Sequence, residues 1–250
     1  MAEFYLSVVI PCYNEERNIR LGALEQVASY LNRQKYSWQV ILVDDGSTDE
    51  SFKLLFKFVR SNKKFSLIRN KHQGKAVAVM TGILKARGEI ILFSDLDQAA
   101  PLSEIEKILP YFRKGFQIVI GSRNSIRRGA PWTRIAMAKG FMILRNLILN
   151  LEITDTQCGF KAFNNDVAGS VFPRLKVFNL KRRAQGSTVS AGFDIEFLYI
   201  AKNLGYRIAE VPVDWHYQET RHINPFKDSL ESLQDLIRIR INCLTGIYKI

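Results

Sequence analysis

Short apolar runs alternate with helix-like segments through the first half of the chain, and this alternation limits the possible folds more than any other feature. The runs cover residues 6–10, 39–43, 66–68 and 89–93, and helical patterns cover residues 15–33, 47–59 and 74–86. Continuous apolar strands joined by helices predict right-handed βαβ units. We therefore expect an α/β fold with a mostly parallel central sheet flanked by helices. A left-handed cap at Gly88 is expected to end the third helix.

The second half is less regular. Strands are predicted at residues 117–120 and 208–213, and helices at 131–151, 193–204 and 225 to about 244. A polar stretch occupies residues 155–161, and a loop rich in Arg, Gly and Ser at 181–192 is expected to be mobile. No internal repeat or linker interrupts the chain, so we expect one domain over residues 1–250.

Polar clusters follow three of the predicted strands, at residues 11–15, 44–47 and 95–97. Ligands of open α/β sheets bind at the carboxyl ends of the strands. The three clusters are therefore expected to share one edge of the sheet and to form a binding site there.

Asp95 and Asp97 come directly after a buried strand. Two carboxylates held together are unfavourable unless a positive charge lies between them. A hard cation such as Mg²⁺ or Mn²⁺, itself bound to substrate phosphates, provides that charge. Solvated loops often contain the same Asp-x-Asp pattern, so the prediction of a metal site depends on the position of the pattern after a strand.

The other two clusters have chemistry that suits a nucleoside. Asp44 and Asp45 can accept hydrogen bonds from ribose hydroxyls or a base N–H, and Tyr13 can stack on a base beside Asn14 and Glu15. An ordinary turn, with Ser47 or Thr48 capping the next helix, explains the same residues, and the pattern alone leaves both interpretations open.

The charge balance favours an anionic partner. The chain has 36 Lys and Arg against 24 Asp and Glu, for a net charge of +12. No zinc-finger spacing, RNP-like motif or basic repeat interleaved with aromatic residues occurs, which argues against nucleic acid. Three widely separated cysteines favour a reducing cytosol over a disulfide framework.

Two apolar stripes with basic neighbours indicate contact with a membrane surface. No run of ~18 uncharged apolar residues is present, so neither stripe is expected to span a bilayer. Packing of each stripe on the sheet is the alternative. The stripes are Phe141, Met142, Leu144, Leu147, Ile148 and Leu151, and Leu230, Leu233, Leu236, Ile237, Ile241, Leu244 and Tyr248.

Taken together, the motifs resemble family 2 glycosyltransferases of the GT-A fold. Residues 155–161, 193–198 and 225–226 are similar to dolichyl-phosphate glucosyltransferases and their bacterial relatives. The family 2 motifs are VVIPCYNE at residues 8–15, VDDGSTD at 43–49, DLD at 95–97, GKA at 74–76 and GSR at 121–123.

The resemblance implies a role for each matching residue. A nucleotide-sugar half (residues 1–123) is expected to bind the donor, and residues 124–250 form an acceptor half. Asp97, Asp194 and Arg123 are the expected catalytic residues, with Glu196 also on the acceptor side. The metal ligands are Asp95 and Asp97; the donor ligands are Pro11, Tyr13, Asn14, Glu15, Asp44, Asp45, Lys75 and Asp95; the acceptor-phosphate ligands are Arg123, Arg134 and Arg221.

The expected reaction is an inverting transfer of glucose from UDP-glucose to a polyprenyl phosphate. Related mannosyl-transferring enzymes can carry Gln as a further metal contact where this chain has Ala99, which weakens a mannosyl assignment. A phosphate acceptor is already largely dianionic, so Asp194 is expected to orient it, and to act as a base only toward a hydroxyl.

Three alternatives stay open at this point. They are a GDP-mannose-dependent polyprenyl-phosphate mannosyltransferase, a family 2 enzyme with a soluble acceptor, and a sugar nucleotidyltransferase. The last would favour a Gly-rich basic loop after the first strand, which residues 11–15 lack. The expected location is cytoplasmic, peripheral on the cytoplasmic face of a membrane.

Overall fold

The computed structural model describes residues 2–123, 132–178, 191–216 and 225–249. Strands are β1 (Phe4–Cys12), β2 (Trp38–Asp44), β3 (Phe65–Arg69), β4 (Gly88–Ser94), β5 (Ile118–Ser122), β6 (Phe160–Asn164) and β7 (Ile208–Pro212). Helices are α1 (Glu16–Arg20), α2 (Ala23–Asn32), α3 (Ser51–Ser61), α4 (Lys75–Ile83), α5 (Ile105–Arg113), α6 (Trp132–Leu149), α7 (Asn165–Val171), α8 (Ala191–Asn203) and α9 (Pro225–Leu244).

Within the described residues the strands form one sheet in the order β3-β2-β1-β4-β6-β5-β7. β1 runs parallel to β2 and β4, β2 runs parallel to β3, and β5 runs parallel to β7. β6 is antiparallel to both of its neighbours, β4 and β5. The expected mostly parallel α/β sheet is confirmed.

The central strands are apolar on both faces because helices cover both. Val8 and Ile10 of β1 pack with Leu24 of α2 and Ile105 of α5 in one buried cluster. Val9 points the other way and joins a second cluster with α4, α7, α8 and α9. Since alternate side chains of a strand face opposite sides, a continuous apolar run is what this sheet requires.

Two sequence-based boundaries are wrong. The single helix expected at residues 15–33 is two helices, because Gly22 adopts a left-handed φ of 86° between α1 and α2. Gly88 does not cap α4, which ends at Ile83. Gly88 begins β4, and a Cβ there would lie 2.5 Å from the backbone N of Ser7. Close strand packing requires that glycine.

Several elements were not predicted. No helix was predicted where α5 and α7 lie. No strand was predicted for β6, which begins at the end of the polar stretch at 155–161. Of the loop expected to be mobile, residues 181–190 lie outside the described part of the chain, and α8 begins at Ala191. Every helix in the described ranges is too short or too polar to span a bilayer.

Candidate active site

One edge of the sheet gathers the polar clusters. The carboxyl ends of β1, β2, β4 and β5 lie there, together with the amino end of β6, because β6 runs in the opposite direction. Pro11, in β1, pairs in register with Val43 of β2. Asp95 and Asp97 follow β4, Arg123 follows β5, and Lys75 opens α4. The three clusters therefore share the predicted edge.

Tyr13 forms an aromatic platform with a histidine that sequence reasoning did not select. The rings of Tyr13 and His72 stack at 4.0 Å between centroids with an interplanar angle of 15°. The Asp45 carboxylate holds His72 by an Oδ2–Nδ1 contact of 2.9 Å. Asp45 also accepts hydrogen bonds from the backbone N–H groups of Gln73 and Gly74. Asp45 thus orders the loop before α4 and reaches Tyr13 through His72.

Asn14 joins the turn after β1 to the turn after β2. Its side-chain Oδ1 accepts a hydrogen bond from the backbone N of Thr48 at 2.9 Å, and its own backbone N donates to Ser47 Oγ. The backbone N of Glu15 donates to Ser51 Oγ at 2.7 Å. These contacts give the two residues a structural role in holding the edge together, beside the ligand role expected of them.

Asp44 is fully buried at the end of β2. Its Oδ1 accepts the backbone N–H of Ser47 at 3.3 Å. Its Oδ2 makes no hydrogen bond and lies 3.4 Å from Nε of Arg69, whose side chain is half exposed. A buried carboxylate oxygen without a hydrogen bond is unfavourable, and the nearby charge of Arg69 offsets part of that cost.

Asp95 already holds a cation. The ammonium of Lys75 lies 2.5 Å from Asp95 Oδ1, and Asp97 Oδ1 accepts the backbone N–H of Ala99 at 3.0 Å. Among the described residues no group of three or more His, Cys, Asp or Glu is arranged to hold a metal. Mg²⁺ sites in enzymes commonly use one or two carboxylates plus substrate phosphates. Asp95 and Asp97, the first of them already paired with an ammonium group, fit that pattern.

Asp194 lies on the first turn of α8, near the Asp95–Lys75 ion pair. Its Oδ1 is 2.9 Å from Nζ of Lys161, a lysine with no exposed surface. Burial raises the pKa of Asp194, while the charges of Lys161 and Lys75 counteract that rise and the charge of Asp95 adds to it. The structure therefore brings Asp194, Asp95 and Lys75 within electrostatic reach of one another.

Glu196, two residues further along α8, serves the fold. Its carboxylate accepts hydrogen bonds from the backbone N–H groups of Lys176, Val177 and Phe178 and from the Tyr248 hydroxyl. Its side chain is fully buried.

Arg123 is bound to Asp155 by a bidentate ion pair. Nε and Nη2 of Arg123 each lie 2.7 Å from a carboxylate oxygen of Asp155, and the Arg123 backbone N donates to the same group. Burial alone would raise the pKa of Asp155, but the hydrogen bonds and charge of Arg123 outweigh it and lower the pKa to about 2. The acceptor role predicted for Arg123 stays a prediction, and its contacts show a structural one.

The remaining basic residues give no evidence for a phosphate site. The Arg134 side chain and all of Arg221 lie outside the described part of the chain. Arg145 of α6, by contrast, is buried. It donates to Thr156 Oγ1 at 2.8 Å and to the Ile153 carbonyl oxygen. Arg145 therefore holds the segment before β6 and adds nothing to a basic surface.

The sequence profile of Glycosyl transferase family 2 matches residues 7–172, which include the three polar clusters. This chain belongs to glycosyl transferase family 2. It is 34% identical over 264 residues to a dolichyl-phosphate beta-glucosyltransferase of Dictyostelium discoideum, covering 98% of this chain and 77% of that protein. A human protein of the same name is 35% identical, with 98% and 78% covered. Membership in the family sets aside the nucleotidyltransferase alternative.

A solved structure confirms the GT-A fold. Glucosyl-3-phosphoglycerate synthase from Mycobacterium tuberculosis, in complex with Mn²⁺, UDP and glucosyl-3-phosphoglycerate, superposes with a TM-score of 0.65 at 17% identity. The match covers 95% of this glycosyltransferase and 80% of that chain.

Four residues at the site escaped sequence reasoning. They are Arg69, His72, Gly159 and Lys161. Gly159 and Lys161 lie within the polar stretch 155–161, and His72 lies just before the GKA motif. Nothing in their spacing marks a histidine as a stacking partner or a lysine as buried.

The Arg123–Asp155 pair gives a pH-dependent prediction. Asp155 has a pKa of about 2 against its ordinary 3.8, so its stabilisation is present above about pH 4 and is lost as the pH falls toward 2. Asp155→Asn should lower the free energy of unfolding by at least about 2 kcal/mol at pH 7. Urea titrations at pH 7 and pH 2.5 measure the free energy of unfolding of the parent and of the variant. A difference that stays constant between the two pH values would contradict the assignment.

Proposed function

We propose that this glycosyltransferase moves glucose from UDP-glucose to a polyprenyl phosphate with inversion at the anomeric carbon. The observation that carries the proposal is the similarity, over nearly the whole chain, to relatives named dolichyl-phosphate beta-glucosyltransferases. The acidic edge of the sheet supports it because each part of such a donor finds a matching group there.

The uridine end of the donor suits the cluster after β1 and β2. The Tyr13–His72 platform offers a flat aromatic face to a base. Asp44 Oδ2, buried and without a hydrogen bond, offers an acceptor to an N–H or hydroxyl of the nucleoside. Pro11, Asn14, Glu15 and Asp45 shape this end of the site.

The diphosphate end suits Asp95, Asp97 and Lys75. Asp95 and Asp97 would hold Mg²⁺ or Mn²⁺, which when bound neutralises the diphosphate and stabilises the leaving UDP. Lys75 lies at the first turn of α4 and contacts Asp95, so its ammonium is placed to bind a phosphate oxygen as well.

The acceptor needs orientation and charge neutralisation more than a base. A phosphate oxygen attacks the anomeric carbon, the bond from that carbon to UDP breaks, and no proton has to be removed from a dianionic phosphate. Asp194 is paired with Lys161, which favours an orienting role for the carboxylate. Arg123, Arg134 and Arg221 are the proposed cationic partners of the acceptor phosphate.

We place the lipid acceptor near an exposed apolar surface on two helices that pack together, α6 and α9. Leu147 is 79% exposed and Leu244 is 71% exposed. Leu151 of the first predicted stripe, and Leu236 and Tyr248 of the second, are buried in the core, so only part of each stripe faces outward. The α6–α9 apolar surface consists of Ile143, Leu144, Leu147, Ile237, Ile241 and Leu244, with Ile247 just after α9.

Basic residues accompany this surface. Arg238, Arg240 and Lys249 are exposed on α9 and just after it, and the whole chain carries a charge of +12. Apolar side chains beside cationic ones favour the interface of an anionic bilayer. We therefore propose a peripheral location on the cytoplasmic face of a membrane.

Transfer assays with matched donors and acceptors test the proposed reaction. We expect glucose from UDP-glucose to appear on a polyprenyl phosphate, with little transfer from GDP-mannose and none to the matching polyprenol. Mass spectrometry of the lipid product measures each combination. Preference for GDP-mannose would overturn the donor assignment, and equal transfer to the polyprenol would make Asp194 a general base.

Removal of the metal or of its carboxylates should abolish the reaction. We expect EDTA to stop turnover and Mn²⁺ or Mg²⁺ to restore it. Asp97→Asn should lower kcat at least about 10²-fold, the loss typical of one major charge-stabilising contact. Asp214→Asn, an exposed carboxylate paired with Lys107, is the matched control and should keep its rate. Full turnover in EDTA would contradict the metal assignment.

The α6–α9 apolar surface should govern membrane binding. Replacing Leu147 and Leu244 with Gln should weaken binding to liposomes containing anionic lipid at least about tenfold, because each buried Leu contributes roughly 1.5–3 kcal/mol. Leu21→Gln, at a leucine that is similarly exposed (67%) but located after α1, should bind as the parent does. Co-sedimentation at low and high salt measures binding. Equal effects of both changes would show that another surface contacts the bilayer.

A further inference from the structure

Gly159 lies in the turn before β6 and packs against the carboxylate of Asp95. A Cβ built on Gly159 would overlap Asp95 Oδ2 and would lie 2.7 Å from Cγ and 3.2 Å from Oδ1. Real Cβ atoms do not approach other atoms so closely, so any side chain at this position would force a shift. The close approach joins the turn to a proposed metal ligand.

The turn has little freedom to move away. Cys158 and Phe160, on either side of Gly159, are both fully buried. Phe160 pairs in register with Ser94, the residue just before Asp95. The buried ammonium of Lys161 donates to the carbonyl oxygen of Cys158. The backbone of the turn is therefore fixed from both sides, and the carboxylate is the group that would yield.

Displacement of Asp95 would also break its ion pair. Asp95 Oδ1 lies 2.5 Å from the ammonium of Lys75, so a rotation of the carboxylate away from residue 159 changes both contacts together. Position 159 thus controls the geometry of two groups proposed to bind the donor diphosphate.

We propose that Gly159 is a positioning residue, whose missing side chain sets the place of the Asp95 carboxylate for metal-dependent binding of the donor. This inference rests on the proposed function, in which Asp95 holds the donor diphosphate through Mg²⁺ or Mn²⁺. It adds that the acceptor half of the chain, through the turn before β6, defines the geometry of the donor site.

Calorimetry with UDP, in Mn²⁺ and in EDTA, separates this role from a general structural one. Gly159→Ala should weaken UDP binding in Mn²⁺ at least about tenfold, since a displacement of about 1 Å can reduce activity 10²-fold. Binding of UDP in EDTA should change much less, because Asp95 contributes to that binding through the metal. Gly169→Ala is the matched control, because Gly169 is exposed in α7 with no atom within 4 Å of the added Cβ. It should bind UDP normally in both conditions.

A double-mutant cycle with Asp95→Ala shows whether Gly159 acts through Asp95. In the Asp95→Ala background, Gly159→Ala should change neither the melting temperature nor UDP binding further, because the overlapping carboxylate is gone. In the parent it should lower both. Additive losses across the cycle would overturn the proposal.

The remaining outcomes are distinct. Gly159→Ala with parental affinity in Mn²⁺, or with equal losses in Mn²⁺ and EDTA, would contradict the positioning role alone, provided that Asp95→Ala reduces Mn²⁺-dependent binding. An Asp95→Ala protein that binds UDP normally in Mn²⁺ would contradict the metal role of Asp95 and the positioning proposal with it.

Discussion

The antiparallel insertion of β6 between β4 and β5 is the constraint on which the site depends. Because β6 runs against its neighbours, its amino end lies at the same edge as the carboxyl ends of β4 and β5. Gly159 is thereby placed against Asp95, and Lys161 against Asp194. A parallel β6 would have delivered these residues to the opposite edge of the sheet, about 17 Å away for a strand of this length.

The site also shows how buried charges are balanced across that edge. Lys161 is fully buried, and its partners are the Asp194 carboxylate and the Cys158 carbonyl oxygen. A buried ion is tolerated only when it is paired and hydrogen-bonded. Arg123 and Asp155 follow the same rule beside them. One member of each pair, Asp155 and Lys161, belongs to residues 155–161, which lead into β6. The same stretch of chain therefore supplies an anion, a cation and a glycine to the site.

The sequence predicts the nucleotide-sugar half better than the acceptor half. Runs such as residues 6–10 and 39–43 are apolar on both faces, which is typical of central parallel strands, and Asp95 and Asp97 follow such a strand directly. β6 has no comparable signal, because its partners are distant and its residues, Phe160–Asn164, are mixed. Pairing across about 70 residues of chain, as between Phe93 and Lys161, depends on tertiary contacts that local patterns do not encode.

Side chains that act through a neighbour were equally hidden. The stacking of His72 on Tyr13 needs Asp45 to hold the imidazole, and no spacing rule joins residues 13, 45 and 72. The break at Gly22 was hidden for a different reason. The apolar positions of α1 and α2 continue one helical period, so only the left-handed backbone of the glycine reveals the separation.

The carboxylate of Asp45 links the two ends of the proposed donor site. It bonds to His72 on one side and to the backbone N of Gly74, just before Lys75, on the other. His72 of the proposed base platform and Lys75, the proposed phosphate ligand, therefore belong to one short stretch of chain anchored at Asp45. Because the Asp45 carboxylate fixes both groups, a change at Asp45 would disturb the proposed base platform and the proposed phosphate-binding lysine together.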